Sequence, residues 1–227
     1  MKTYLTYDDV NIVPKYSEVL SREDIDLSTR FTKNTTMSVP IVASPMDTVT
    51  EYKMASEMLD QGGVGVIHRF QSIEKQTEQM KRVWRQWDSW YNIGDKDEDR
   101  TDHHRVYEDW YRGVMSWNHP PTKSDFEDLE ELLWFADEAK KDEEYWSKRP
   151  LCAAIGVKGD YLERAKELVL NGCNVLLIDV AHGHHKNVGE AIEKIKSKIS
   201  NVEVVAGNIA TSDGARFLAE KGADAIR

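Results

Sequence analysis

An aspartate lies at the end of an apolar run in the C-terminal part of the sequence. Residues 175–178 read Val-Leu-Leu-Ile and are followed by Asp179. Such a run is typical of a strand buried on both faces of a parallel sheet, whose interior could not hold an unpaired carboxylate. Because ligands of parallel α/β folds bind beyond the carboxyl ends of the strands, Asp179 is a candidate for holding a ribose hydroxyl. The alternative is an acid that only caps the following loop.

Three other apolar runs also end in residues that could contact a ligand. Ser44 and Met46 follow the first run, the His-Arg-Phe of residues 68–70 follows the second, and Asn208 follows the fifth. Ser44 can donate to a carbonyl or phosphate, Met46 can pack against an aromatic base, and Asn208 offers a donor and an acceptor to an amide. Together they predict a ligand site at one end of the sheet. Each residue alone is equally compatible with a cap or a turn.

The two cysteines do not look like nucleophiles. Cys152 lies within an apolar run and Cys173 precedes one, and neither has a base beside it. They also lack the spacing of a metal site or a disulfide framework. We expect both to be buried packing thiols.

The histidine clusters do not predict a metal centre. His103 and His104 lie in an acidic polar run, and His182, His184 and His185 have no carboxylate or cysteine at a ligand spacing. The prediction is therefore that the chain holds no metal.

Strand and helix patterns alternate outside the middle of the chain. Strands are predicted at 39–43, 63–67, 151–155, 175–178, 203–206 and 223–226, and helices at 51–59, 72–83, 161–170, 186–199 and 212–221. All six strands read as buried on both faces, which favours a (β/α)8 TIM barrel over an open sheet. An eight-unit barrel needs roughly 250 residues. We therefore expect only the N-terminal part of the barrel here, with the remaining units supplied by further sequence or by a second polypeptide.

The middle of the chain differs sharply in composition. Residues 84–149 hold all seven tryptophans, with 18 Asp and Glu against 10 Lys and Arg. Apolar residues recur there at helical spacing, which predicts a small helical insertion. The domains are then residues 1–83 and 150–227 for the barrel and 84–149 for the insertion. The tryptophans either build the core of a small insert or form a surface for a partner or for self-association.

Composition excludes several classes of function. The net charge is −10, and no cations cluster as nucleic-acid binding requires. The sequence has neither an apolar stretch of 18 residues nor a signal-like N-terminal segment. We expect a cytoplasmic protein that binds neither nucleic acid nor a membrane.

Five motifs resemble the IMP dehydrogenase/GMP reductase family and occur in the family's order. They lie at residues 5–10, 40–50, 62–68, 177–184 and 206–211. The resemblance covers residues 1–83 and 151–227. It implies a (β/α)8 barrel, typically a homo-tetramer, that binds a purine mononucleotide and a nicotinamide cofactor at the carboxyl ends of the strands.

The resemblance also assigns a substrate-binding role to four residues. Ser44 and Met46 match positions that touch the nucleotide, with Met46 against the purine. Asn208 and Arg227 match polar residues that line the reaction site, where an amide and a guanidinium can orient a carboxamide or a purine.

Three further residues match cofactor-binding positions. Asp179 matches the acid that holds the hydroxyls of the nicotinamide riboside. Val180 and Ala181 stand where IMP dehydrogenases usually carry two serines, so those hydroxyl contacts are missing.

The family's catalytic loop has no counterpart in this sequence. It lies directly after the position of Arg227 and carries the nucleophilic cysteine and part of a potassium site. Neither Cys152 nor Cys173 aligns with that nucleophile. We therefore expect no catalytic residue within the chain, and expect the isolated chain to be inactive. The Trp-rich insertion stands where IMP dehydrogenases carry regulatory CBS modules, which it does not resemble.

The resemblance implies one of two reactions, and the insertion suggests a third function. The leading hypothesis is oxidation of IMP to XMP with NAD, through a covalent cysteine adduct whose cysteine comes from sequence after Arg227. The alternative reaction is that of a GMP reductase, which converts GMP to IMP with NADPH. A third hypothesis is a non-catalytic half-barrel that binds a partner through the insertion.

Overall fold

The structure is a computed structural model that describes residues 5–93 and 149–227. The strands are β1 (Thr29–Arg30), β2 (Thr36–Met37), β3 (Val42–Ala43), β4 (Val64–Ile67), β5 (Cys152–Ile155), β6 (Val175–Asp179), β7 (Glu203–Gly207) and β8 (Ala225–Ile226). The helices are α1 (Tyr52–Asp60), α2 (Ile73–Ile93), α3 (Tyr161–Leu170), α4 (Lys186–Lys198) and α5 (Ser212–Glu220). None of the helices in these ranges is long and apolar enough to cross a membrane.

Strands β3 to β8 form one parallel sheet in which the spatial order follows the chain order. A helix follows each of β3 to β7, which is the βα repeat predicted from the sequence. This curled sheet is consistent with part of a TIM-type barrel, so the predicted α/β class is confirmed. The six predicted strands and five predicted helices correspond to these elements.

The two faces of the sheet bury different sets of side chains. Because successive side chains of a strand point to opposite faces, Val64, Cys152 and Val175 join a small inner cluster. Leu176 and Ile178 instead join a larger outer cluster against the helices. Apolar residues therefore line both faces, as an almost continuous apolar run requires.

The prediction that every strand is buried on both faces is wrong for two of them. Strands β4 to β7 are almost wholly buried, but Val42 of β3 is 39% exposed and Ile226 of β8 is 37% exposed. β3 and β8 are the two edges of the sheet. A strand at an edge has a neighbour on one side only, so its side chains stay partly in water.

An antiparallel hairpin of β1 and β2 was not predicted from the sequence. Phe31 and Met37 from this hairpin pack against the inner cluster. The carboxylate of Glu203, at the start of β7, accepts hydrogen bonds from the hydroxyls of Thr32 and Thr35. The hairpin thus covers the inner cluster at the amino ends of the strands.

Helix α2 is longer than the sequence predicted. It continues past residue 83 to Ile93, since residues 84–93 contain neither glycine nor proline to break it. The predicted boundary between barrel and insertion therefore lies inside a helix. The remainder of the predicted insertion lies outside the described residues.

A buried polar cluster joins α2 to α3. The Gln76 side chain is fully buried, and its Nε2 donates to the backbone oxygens of Ile67 (3.3 Å) and Ala154 (2.8 Å). Its Oε1 accepts from Nη1 of Arg164 at 2.8 Å, and Nη2 of Arg164 donates to Asp160 at 2.9 Å. These bonds hold β4 and β5 together near their carboxyl ends, beside the predicted site.

Candidate functional site

Asp179 lies on the inner face of the sheet, at the carboxyl end of β6. It is two residues beyond Leu177, which belongs to the inner cluster, and the side-chain period of a strand is two. Its side chain is 19% exposed. A carboxylate thus stands at the mouth of the half-barrel, directly above an apolar floor.

Arg227 reaches Asp179 across the end of β7. Nη1 of Arg227 donates to Oδ1 of Asp179 at 2.7 Å. Gly207 pairs with Asp179 and lies between the two residues. A Cβ atom at Gly207 would lie 2.5 Å from the backbone oxygen of Arg227, so only glycine fits there.

The segments after β6 and β7 are joined by backbone hydrogen bonds. The Asn208 N–H donates to the Val180 oxygen at 2.8 Å, and the Asn208 oxygen accepts from Gly183 at 2.6 Å. Val180 packs half-buried against the outer cluster, whereas Ala181 and Asn208 are exposed. The Asn208 side chain is thereby presented at the same edge of the sheet as Asp179.

Ser44 and Met46 lie in the segment between β3 and α1. The Ser44 oxygen accepts from the Thr50 hydroxyl at 2.6 Å, and the Met46 oxygen accepts from the Thr50 N–H at 3.0 Å. Met46 is 51% exposed and Ser44 is half-buried. These bonds form a compact turn that presents the Met46 side chain to solvent.

The structure places the predicted residues at one edge of the sheet but in two groups. Asp179, Asn208 and Arg227 come together at β6 to β8, whereas Ser44 and Met46 lie at β3. With neighbouring strands about 4.8 Å apart, β3 and β6 are separated by about 14 Å. That gap leaves room for ligands between the groups.

Residues 68–70, at the end of β4, form a third feature of this edge. His68 is buried, and its Nδ1 accepts the Phe70 N–H at 3.2 Å. Its Nε2 faces the Glu51 carboxylate at 3.6 Å. The Arg69 guanidinium lies over the Phe70 ring, 4.8 Å from the centroid. Sequence reasoning found this strand end but gave Arg69 no role, because nothing in the sequence shows which of its arginines have acidic partners.

Both cysteines are buried, as predicted, and neither lies at this edge. Burial raises the pKa of Cys173 to about 12 and raises that of Cys152 well above its usual value. Both thiols are therefore protonated at neutral pH, the form that is a poor nucleophile.

The histidines near Asp179 have structural partners. Nδ1 of His185 accepts the Asn187 N–H at 3.1 Å and so caps α4, while His184 packs against Phe217 with ring centroids 5.1 Å apart. In the described part of the chain, no group of three or more His, Cys, Asp or Glu side chains could hold a metal. His103 and His104 lie outside the described residues.

Comparisons with known proteins agree with this geometry. The chain matches the family model for the IMP dehydrogenase/GMP reductase domain over residues 4–227. It is similar to the inosine-5'-monophosphate dehydrogenases of Nitrosopumilus maritimus (32% identical), Borreliella burgdorferi (35%) and Cryptosporidium parvum (35%). These alignments cover 100%, 100% and 98% of this chain, and 61%, 53% and 50% of the respective relatives.

The chain thus spans between half and about three-fifths of the length of these relatives. The match nevertheless includes almost every residue of this chain. It also runs through each strand end described above. The chain belongs to the IMP dehydrogenase/GMP reductase family.

Proposed function

We propose that the chain is part of an enzyme that oxidises IMP to XMP with NAD. The main support is that Asp179, Asn208 and Arg227 come together at the carboxyl ends of adjacent strands. In addition, the similar proteins are named IMP dehydrogenases. This edge is where ligands of parallel α/β folds bind. We further propose a cytoplasmic homo-tetramer.

The surroundings of Asp179 suit a ribose diol. Oδ1 accepts from Arg227, and within the described part of the chain Oδ2 has no hydrogen-bond partner. A carboxylate with one free oxygen can accept a hydrogen bond from a ribose hydroxyl. Val180 and Ala181 offer no side-chain hydroxyl, so Asp179 would hold the ribose by itself. NAD, when bound, supplies a hydride acceptor.

The purine mononucleotide would occupy the space between the two groups of residues. The exposed Met46 offers a polarizable face to the purine ring, and the Ser44 hydroxyl can donate to the nucleotide. On the opposite side, Asn208 and Arg227 offer donors that can orient a carboxamide or purine carbonyl. The residues of this chain would thus bind and orient the nucleotide.

The nucleophile would come from sequence beyond Arg227, either in the same chain or in a second polypeptide. The raised pKa values of Cys152 and Cys173 support this division, since neither thiol ionises readily where it lies. A potassium ion would likewise be held by that further sequence. The chain by itself would be inactive.

GMP reductase remains the second candidate. The Asp179-to-His184 string, with Val180 and Ala181 in place of two serines, resembles GMP reductases more than IMP dehydrogenases. In that case the same edge would bind GMP and NADPH.

The test is NADH formation from IMP and NAD with potassium present. It would be run on this chain alone and on the chain together with the polypeptide encoded beside it. Activity only in the combination is the expected result, since the cysteine would then be supplied. Activity that appears only with GMP and NADPH would replace the dehydrogenase with the reductase. No turnover in any combination would contradict both enzymes.

A further inference from the structure

We propose that Arg69 binds a phosphate group of a nucleotide at the carboxyl end of β4. The proposal rests on the proposed function, because it assigns a ligand group to the same edge of the sheet. It adds a residue to which no role has been given.

Arg69 differs from three other arginines because none of the described carboxylates pairs with it. Arg82, Arg164 and Arg227 each pair with a carboxylate, at 3.3, 2.9 and 2.7 Å respectively. Within the described part of the chain, Arg69 has no carboxylate within ion-pairing distance, and its Nε is buried without a hydrogen-bond partner. A buried donor on a permanently charged group is costly unless an acceptor forms a hydrogen bond with it. An anion is the kind of acceptor that would satisfy both the buried donor and the unpaired positive charge.

The guanidinium is held in a fixed place. The Phe70 ring supports one side of it, with Cζ 4.8 Å from the ring centroid. Gly156, just after β5, lies close by: a Cβ built there would be 3.8 Å from Nη1 of Arg69. The side chain thus bridges the ends of β4 and β5. Stacking on an aromatic ring orients the planar set of donors before a ligand arrives.

The charges around Arg69 also favour an anion. Asp160 pairs with Arg164, and the Glu51 carboxylate lies 3.6 Å from Nε2 of His68 and forms no ion pair with Arg69. Lys158, in the loop that begins at Gly156, is exposed and adds a second positive charge to this edge. In a chain of net charge −10, an anionic ligand has to be met by such a local cation.

The position of Arg69 favours a nucleotide phosphate over other anions. The adjacent strand β3 leads to Ser44, and Asp179 lies two strands away in the other direction. Two strands correspond to about 10 Å, a span that one nucleotide can bridge. A guanidinium can donate two parallel hydrogen bonds to a phosphate. The phosphate belongs either to the dinucleotide or to the mononucleotide, and binding measurements separate these sources.

The test is calorimetric titration of the full chain with inorganic diphosphate, NAD and IMP. We expect Arg69→Gln to weaken diphosphate binding about 10- to 100-fold, the usual effect of losing charge-assisted hydrogen bonds. Arg82→Gln is the matched control, because Arg82 also stacks on an aromatic ring, that of Tyr52, but has Glu78 as its partner. Its affinity for diphosphate should equal that of the wild type.

Two further variants keep the test decisive. Arg69→Met retains an aliphatic stem against Phe70 and serves if Arg69→Gln fails to fold, which circular dichroism would reveal. Arg69→Lys keeps the charge but loses the paired donors, so we expect a smaller loss of about three- to tenfold. A loss confined to NAD would assign the phosphate to the dinucleotide, and a loss confined to IMP would assign it to the mononucleotide.

The proposal is overturned if the wild type does not bind diphosphate, or if both Arg69→Gln and Arg69→Met bind it as tightly as Arg82→Gln does. These results are separate from the test of the proposed function. Diphosphate binding that depends on Arg69 in a protein unable to oxidise IMP would keep the phosphate site and remove the dehydrogenase. Unchanged turnover in Arg69→Gln, together with no diphosphate binding, would instead remove the phosphate site and keep the dehydrogenase.

Discussion

Arg227 and Asp179 form an ion pair across an intervening strand, 2.7 Å apart, because the residue between them is Gly207. Residues two strands apart in a sheet are separated by about 10 Å of backbone. The long arginine side chain covers that distance only where no side chain stands in its way. One glycine thus joins two of the residues predicted to bind ligands.

Replacing Gly207 by alanine should break this arrangement. The added Cβ would lie 2.5 Å from the Arg227 oxygen and 2.9 Å from the Arg227 Cβ, so the end of β8 would have to move. We expect Gly207→Ala to lower the free energy of unfolding by about 1–3 kcal/mol, the usual cost of overpacking.

Urea unfolding monitored by circular dichroism measures this loss. Gly156→Ala is the matched control, because a Cβ there would make only ordinary contacts, the nearest at 3.8 Å. A Gly207→Ala protein as stable as Gly156→Ala would show that Arg227 does not depend on the space at Gly207.

Replacing Asp179 by asparagine should weaken the affinity for the dinucleotide while changing the free energy of unfolding little. The pair with Arg227 is part-exposed, at 36% and 19% of the two side chains, so the change in unfolding free energy should stay within about 1 kcal/mol. Loss of a charged acceptor for the ribose should weaken NAD binding about tenfold or more. Equilibrium dialysis with NAD measures this affinity, and an unchanged value in Asp179→Asn would remove the ribose role.

Replacing Gln76 by alanine should destabilise the sheet strongly. The change removes the donor to the Ile67 and Ala154 oxygens and leaves Nη1 of Arg164 without its partner. We expect a loss of about 2–4 kcal/mol in unfolding free energy, because several buried polar groups are left unsatisfied.

Thermal and urea denaturation would both measure this loss. Gln61→Ala is the control, since the Gln61 side chain is exposed and, among the described residues, bonds only to Glu57 of α1; this change should cost no more than about 0.5 kcal/mol. Equal effects of the two substitutions would mean that the buried cluster does not hold β4 to β5.

The buried thiol of Cys173 predicts a specific pH dependence. Burial raises its pKa from 9.0 to about 12 in the folded protein. The unfolded chain therefore releases this proton first, so its contribution to stability is intact below pH 9 and declines between pH 9 and 12. The slope for one such thiol approaches about 1.4 kcal/mol per pH unit.

Urea midpoints measured across this pH range would reveal the slope. Cys173→Ala removes the titrating group, so its stability should fall less steeply above pH 9 than that of the wild type. Identical slopes for the two proteins would show that Cys173 is not the group responsible.

The order of helices and strands could be predicted because it depends on local patterns. Helix α3 begins and ends at the predicted residues, Tyr161 and Leu170, since apolar residues recur there at helical spacing. Helix α2 crosses the boundary predicted at residue 83, because that boundary rests on a change in composition while the helical spacing continues beyond it. Strand β6 was predicted one residue short, and the extra residue is Asp179 itself.

The hairpin of β1 and β2 could not be predicted for a different reason. Each of its strands has two residues, too few for any periodicity to appear. It is anchored by Glu203, about 170 residues later in the chain. Contacts over such a distance leave no local signal.

The sequence by itself determined which residues stand at strand ends, and hence that Ser44, Met46, Asp179 and Asn208 lie at one edge of a parallel sheet. This follows because buried strands are recognisable as apolar runs whose polar residues begin where the strand ends. The five motifs, which occur in the family's order, also implied which ligands to expect at that edge: a purine mononucleotide and a nicotinamide cofactor. Only the tertiary structure decided which side chains meet. Among the residues that the structure describes, Arg227 pairs with a carboxylate and Arg69 does not, since pairing depends on strand register, on the gap at Gly207 and on ångström-scale distances that a one-dimensional pattern does not contain.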